Sequence, residues 1–337
     1  MEKRSAPLFF IEKNDFEYII GVKMKLNIEQ NRSQGDPYVI KSNGLYYMYA
    51  THVQGVQLYV SEDMLNWQYQ GFCYQRQGHK EYWAPAVIEI EGKFYMYYSS
   101  IPNEETDVHQ ERIAVAVSDT PKGPFQFVKD LIEPFSIDAH VVVSGNDLYM
   151  FYSVNDYEAE RAGTLIVVDK MISPLEMCGQ PKVVVRATLD EEIFMHDRFK
   201  KGQHWHTLEG ACYFRKGDYH YLMYSGNCYE SEYYYIGYAV CHSNERDLTK
   251  LQFKKYPNDT EYLPLISKSM DEEGTGHNSL LEEDGKYYVF YHGRDWGKAC
   301  NTDVRTARMC EVVAEKELLL VSQRAGLSAC VAYSKSR

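Results

Sequence analysis

Five times along this chain an aromatic strand runs into a small polar residue or a histidine. It reads LYYMYAT at 45–51, KFYMYYS at 93–99, DLYMFYS at 147–153, YHYLMYS at 219–225 and KYYVFYH at 286–292. Aligned on Thr51, Ser99, Ser153, Ser225 and His292, the strands put Tyr47, Tyr95, Tyr149, Tyr221 and Tyr288 in one column. A unit that recurs in this way must pack against copies of itself, because one hairpin buries too little apolar surface to stand alone.

Each unit has a common grammar. A polar motif leads into a short apolar strand, then a turn (KSNG 41–44, IEGK 90–93, SGND 144–147, RKGD 215–218, EDGK 283–286), then the aromatic strand. Gly and Asn in the turns supply the positive φ of tight hairpins. A third, alternating strand follows, as in VQLYV at 56–60 and RIAVAV at 112–117. The endings lie 48, 54, 72 and 67 residues apart. A hairpin unit of three or four strands needs about 40–50, so the last two spacings contain long loops. Five units closing side by side predict an all-β, five-bladed β-propeller. The expected organisation is an N-terminal extension or first strand over 1–30, a propeller over 31–313, and a tail over 314–337. That tail contains ELLLV, which either adds a closing strand or hangs off the ring.

Bulk properties limit the partners. A net charge of −12 and a pI near 5.4 argue against nucleic acid. No apolar run approaches the roughly 18–20 residues of a membrane helix. PLFFI near the N-terminus is too short for a signal-peptide core and is followed by Glu12 and Lys13. Eight cysteines are scattered without a CxxC pair. A cytoplasmic location is expected.

About fifteen residues before each ending stand Asp36, Ala84, Asp138, Glu209 (sixteen) and His277. In a propeller these positions begin the innermost strands and converge on one mouth of the central channel. Confined carboxylates raise one another's pKa by repulsion and desolvation. One can then stay protonated while another stays ionised, the division of labour that glycosidic cleavage needs. Ala84 leaves its blade without a functional group and gives a sugar room. Trp83 beside it either stacks on that sugar or packs between blades. His277 either binds a water or a metal ion in the channel or only hydrogen-bonds its neighbours. His196, His204 and His206 lie in one segment, where a loop shaping the pocket is favoured over a zinc site lacking a fourth ligand.

The motifs GDPYVI, WAPAV, SIDAHVV, HTLEGACYF and GTGHNSLLEEDGKYYVFYHGR resemble those of glycoside hydrolase family 43, in that family's order from about 31 to 311. The resemblance implies a five-bladed propeller of inverting arabinofuranosidases, xylosidases and arabinanases. By position it implies Asp36 as general base, Asp138 as pKa modulator and Glu209 as general acid. It also implies that Arg294 contacts the innermost sugar and that His277 lies in the channel, near a water or a calcium ion. No cofactor is required for such chemistry. The expected substrate is a short oligosaccharide carrying terminal α-L-arabinofuranose, with β-xylosidase action and a non-catalytic sugar-binding propeller as the rivals. Inversion requires acid and base carboxyls about 6.5–9.5 Å apart.

Overall fold

The computed structural model describes residues 23–298 and 304–322. Residues 1–22 of the expected extension and 323–337 of the expected tail lie outside them. Four hairpin-connected strands form blade 1: β2 (Gly35–Ser42), β3 (Leu45–Thr51), β4 (Val56–Ser61) and β5 (Gln68–Tyr74). Blade 2 repeats them as β6 (His79–Ile90), β7 (Lys93–Pro102), β8 (Arg112–Ser118) and β9 (Gln126–Asp130). Blade 3 has β10 (Ser136–Ser144), β11 (Asp147–Asp156) and β12 (Gly163–Ser173), edged by the short β13 (Glu176–Met177) and β14 (Lys182–Val185). Blade 4, entered through β15 (Ile193–Met195), has β16 (Trp205–Lys216), β17 (Tyr219–Gly226), β18 (Tyr235–His242) and β19 (Lys254–Lys255).

Blade 5 has β20 (Glu272–Glu283), β21 (Lys286–Asp295) and β22 (Thr306–Glu315). The outer edge of β22 is shared by two strands from opposite ends of the chain. One is β1 (Lys23–Lys25), paired through Lys23 with Cys310, and the other is β23 (Leu318–Val321), paired through Leu319 with Ala314. ELLLV therefore contributes a strand to the sheet, and β22 runs two residues past the expected boundary at 313.

The aromatic phrase is the second strand of every blade, and its alternation explains the ring. Tyr47 and Tyr49 of blade 1 pack with Phe94, Met96 and Tyr98 of blade 2. Tyr97 of blade 2 meets Met150 and Tyr152 of blade 3, and Tyr149 and Phe151 there meet Leu222 and Tyr224 of blade 4. Tyr221 and Met223 meet Tyr287, Val289 and Tyr291. Tyr288 and Phe290 of blade 5 then meet Tyr46 and Met48 of blade 1, which closes the circle. Successive residues of a strand face opposite sides, so one aromatic strand feeds both neighbouring interfaces. Each fully buried aromatic contributes about 1.5–3 kcal/mol. The five innermost strands β2, β6, β10, β16 and β20 adjoin one another in the same cyclic order.

Candidate active site

Each innermost strand is interrupted at the same place. The pairing register slips after Gly35, Trp83, Ile137, Glu209 and Gly276. The next residue in every blade has left-handed backbone: Asp36 (φ 55°), Ala84 (42°), Asp138 (61°), Gly210 (63°) and His277 (47°). Such bulges re-aim a side chain and leave an N–H outside the ladder. In three of the five blades the residue ending the aromatic strand of the preceding blade collects that N–H. Ala84 N–H donates to Thr51 Oγ1 (2.8 Å), His277 N–H to Ser225 Oγ (2.7 Å) and Asp36 N–H to His292 Nδ1 (3.2 Å). The polar ending of the repeated phrase is thus a joint between blades.

This column corrects the placement of one acid. The fourth member is Gly210, and Glu209 belongs to the preceding column with Trp83, which explains its sixteen-residue offset. A Cβ on Gly210 would come within 3.2 Å of the His277 ring, so a side chain there would crowd that imidazole. Its N–H donates to Asp138 Oδ2 (3.0 Å) rather than to Ser153.

Asp36, Asp138, Glu209, Trp83 and His277 line one cavity of about 790 Å³. Asp36 is buried and accepts from Thr51 Oγ1 (2.5 Å) and from the Arg305 guanidinium (3.1 Å). His277 and His292 lie 3.4 and 3.3 Å from the same carboxyl. Burial pushes its pKa up, but Arg305 and the two imidazoles overcome that and hold it well below the usual carboxylate range. Asp138 and Glu209 behave in the opposite way. Burial and the negative charges of Glu209 and Asp36 raise Asp138. Burial raises Glu209 to about 7, with Asp36 adding to the rise and the hydroxyl of Tyr234 (2.7 Å) opposing it. Both carboxyls are thus pushed toward their protonated forms, while Asp36 is held ionised.

The remaining expected residues divide. Trp83 is in the cavity wall, its Nε1 donating to Glu81 (3.1 Å). Ala84 is buried behind the wall, engaged only through its backbone. Arg294 is buried and donates to the Tyr229 carbonyl (2.9 Å), and the arginine of the wall that reaches Asp36 is Arg305. Arg305 precedes β22, in the segment of the fifth repeat's third strand, and a Cβ on Gly35 would come within 2.5 Å of its guanidinium. Tyr234, at the start of β18, also escaped the sequence reading; the run Tyr233–Tyr234–Tyr235 was its only signal. His206 is buried and bonded to Ala162 and Arg161, while His196 and His204 pair with each other at 3.3 Å.

Calcium needs six to eight oxygen ligands, waters included, and Asp36 supplies two oxygens that already accept from a hydroxyl and a guanidinium. Among the described residues no three His, Cys, Asp or Glu side chains are grouped to hold a metal ion. Nor is any described helix long and apolar enough to cross a membrane.

Residues 30–315 match the family described as glycosyl hydrolases family 43. An extracellular exo-α-(1→5)-L-arabinofuranosidase of Streptomyces avermitilis is 25% identical over 245 residues, 68% of this chain and 47% of that protein. A xylosidase/arabinosidase of Thermoclostridium stercorarium is 24% identical over 302 residues, 76% of this chain and 57% of its own length. The chain thus spans about half the length of these two relatives. A solved structure of a thermostable family-43 glycoside hydrolase superposes with a TM-score of 0.72 at 31% identity, covering 86% of this chain and 92% of the other. Family match, superposition and blade geometry agree: the chain belongs to glycosyl hydrolases family 43.

Proposed function

We propose that the protein is an inverting, exo-acting glycoside hydrolase that releases terminal α-L-arabinofuranose from short arabino-oligosaccharides in the cytoplasm. The observation that carries this reading is the split among three buried acids. Asp36 is held ionised, while Glu209, with a pKa of about 7, can carry a proton. Asp36 as general base takes a proton from water as that water attacks the anomeric carbon. Glu209 as general acid donates its proton to the departing glycosidic oxygen. Asp138 tunes the acid. The Gly210 N–H donated to it favours its anion, against the burial and the Glu209 and Asp36 charges that push its pKa up. Arg305 keeps the base ionised. The exo mode is supported by the likeness to the Streptomyces exo-α-(1→5)-L-arabinofuranosidase. The free thiols of Cys73, Cys212 and Cys310, all buried, suit a reducing compartment.

A β-xylosidase is the second reading, favoured by relatives whose names join xylosidase to arabinosidase. Turnover of p-nitrophenyl α-L-arabinofuranoside against the β-D-xylopyranoside separates the two. Product anomer followed by NMR during hydrolysis tests inversion, and retention would refute the base role of Asp36. No turnover of either glycoside, or of arabino- and xylo-oligosaccharides, would leave a sugar-binding propeller.

A further inference from the structure

The strand that carries Glu209 also measures distance out of the site. Trp205, Thr207 and Glu209 line the cavity, whereas His206 is bonded to Ala162 and Leu208 is in the apolar core between blades 3 and 4. That alternation puts the three on one face of β16, with Trp205 roughly 13 Å from Glu209 along the strand. Over the Trp205 ring, 4.7 Å from its centroid, lies the guanidinium of Arg198, flanked by Phe199 (5.3 Å) and Phe194 (5.6 Å). Its Nη2 donates to His109 Nε2 at 2.7 Å, from the loop before β8. An arginine only donates, so His109 Nε2 is an acceptor and its Nδ1 carries the hydrogen toward Asp107 Oδ1, 2.7 Å away. One face and one edge of the guanidinium are therefore fixed by different blades.

Three guanidiniums line the cavity, and they differ in what they hold. Arg32 is bonded to Glu29 (3.3 Å) and Arg305 to Asp36 (3.1 Å), whereas Arg198 is bonded to an imidazole. Among the described residues no ion pair joins it to a carboxylate, and the nearby charge of Asp107 reaches it from behind His109. We propose that Arg198 is a specificity-determining residue that binds a neighbouring pair of hydroxyls on the sugars of the leaving group. This rests on the glycosidase reading above, because the acid that protonates the departing oxygen stands on the leaving-group side, and β16 runs outward from that acid. A rigid fork of N–H donors suits two adjacent hydroxyls. Glu81 and Glu230 in the same wall make an anionic sugar the poorer guest. The cavity also has more room than one pentose fills.

The test compares a p-nitrophenyl pentoside, whose leaving group has no sugar, with the matching trisaccharide, in wild type, Arg198→Ala, Arg198→Lys and His109→Ala. The expected result is that Arg198→Ala loses about 10- to 100-fold more in kcat/KM on the trisaccharide than on the pentoside, mostly through KM. Arg198→Lys, lacking the planar fork, recovers less than half of that in logarithmic terms. His109→Ala shows the same substrate bias at smaller size. Equal loss on both substrates, or none on either, overturns the role of Arg198. A wild type that turns over neither substrate overturns the glycosidase reading itself, a distinguishable failure.

Discussion

Two of the places where this propeller buries acids are satisfied very differently. In blade 4, Glu192 accepts from Lys255 Nζ (2.5 Å) and the Tyr235 hydroxyl (3.3 Å) on one oxygen, and from the Thr188 (2.7 Å) and Leu189 (2.9 Å) N–H groups on the other. One negative charge meets one positive charge, and every contact is local to one blade and its loops. At the channel mouth three acids from three blades face a single cavity, where the guanidinium of Arg305 is bound to one of them. Isolated buried charge is costly unless paired, so an arrangement that leaves carboxylates to push on one another persists where it does chemistry. The first cluster holds a loop; the second holds a proton.

Breaking the second cluster has the largest expected effect. Glu209→Gln should lower kcat/KM on natural linkages by about 10²–10⁴-fold while sparing glycosides with activated leaving groups. Asp36→Asn should lower both kinds of substrate alike, since water attack is common to them. A Glu209→Gln variant equally impaired on p-nitrophenyl and oligosaccharide substrates would remove that residue from the acid role.

Breaking the first cluster should unfold rather than inactivate. Lys255→Met leaves the Glu192 charge buried without its partner, an imbalance that costs about 3–5 kcal/mol in comparable sites. Chemical denaturation reads it directly. Folded enzyme below the transition should retain the wild-type pH profile, because no residue of this cluster lines the cavity. A shifted profile would mean that the two clusters communicate.

The pH profile itself sharpens the contrast. As the proposed acid Glu209 must be protonated, so kcat/KM should fall as pH rises through about 7. As the proposed base Asp36 must be ionised, and its lowered pKa puts the acid limb below the ordinary carboxylate range. In Arg305→Met, burial acts on Asp36 with less opposition, and the acid limb should move upward, with a smaller rise of the basic limb because Arg305 also lowers Glu209. An unmoved acid limb would show that the imidazoles of His277 and His292 suffice.

How much of this was legible beforehand follows from what repeats. Asp36, Asp138 and His277 stand at a fixed offset from Thr51, Ser153 and His292, because bulge and joint recur in each blade. Glu209 was found although it is one residue off, since an acid is visible where Gly210 is mute. The ring was legible because Tyr47 and its equivalents must pack on their neighbours. Arg305 and Tyr234 were not, because each comes from a third-strand segment, away from that fixed offset. Arg305 reaches Asp36 across 269 residues, a pairing that only the closed ring creates. Arg294 was chosen from a motif, and motif position says nothing about which way a buried guanidinium turns.

The smallest expected effect separates the joints of the ring from one another. Thr51 Oγ1 serves twice, donating to Asp36 and accepting from the Ala84 N–H. Thr51→Val keeps the shape and strands both partners, a loss of about 1–3 kcal/mol together with a rise in the Asp36 pKa that lifts the acid limb of activity. Ser153 occupies the same place in blade 3, but its hydroxyl has no protein partner among the described residues, because Gly210 gives its N–H to Asp138 instead. Ser153→Ala should therefore change stability by no more than about 0.5 kcal/mol and leave both limbs where they are. Thermal melts and pH profiles of the two variants, measured side by side, decide whether one joint was diverted from architecture to catalysis. If Ser153→Ala costs as much as Thr51→Val, the Gly210 N–H is held by the serine, and Asp138 must be positioned by something else.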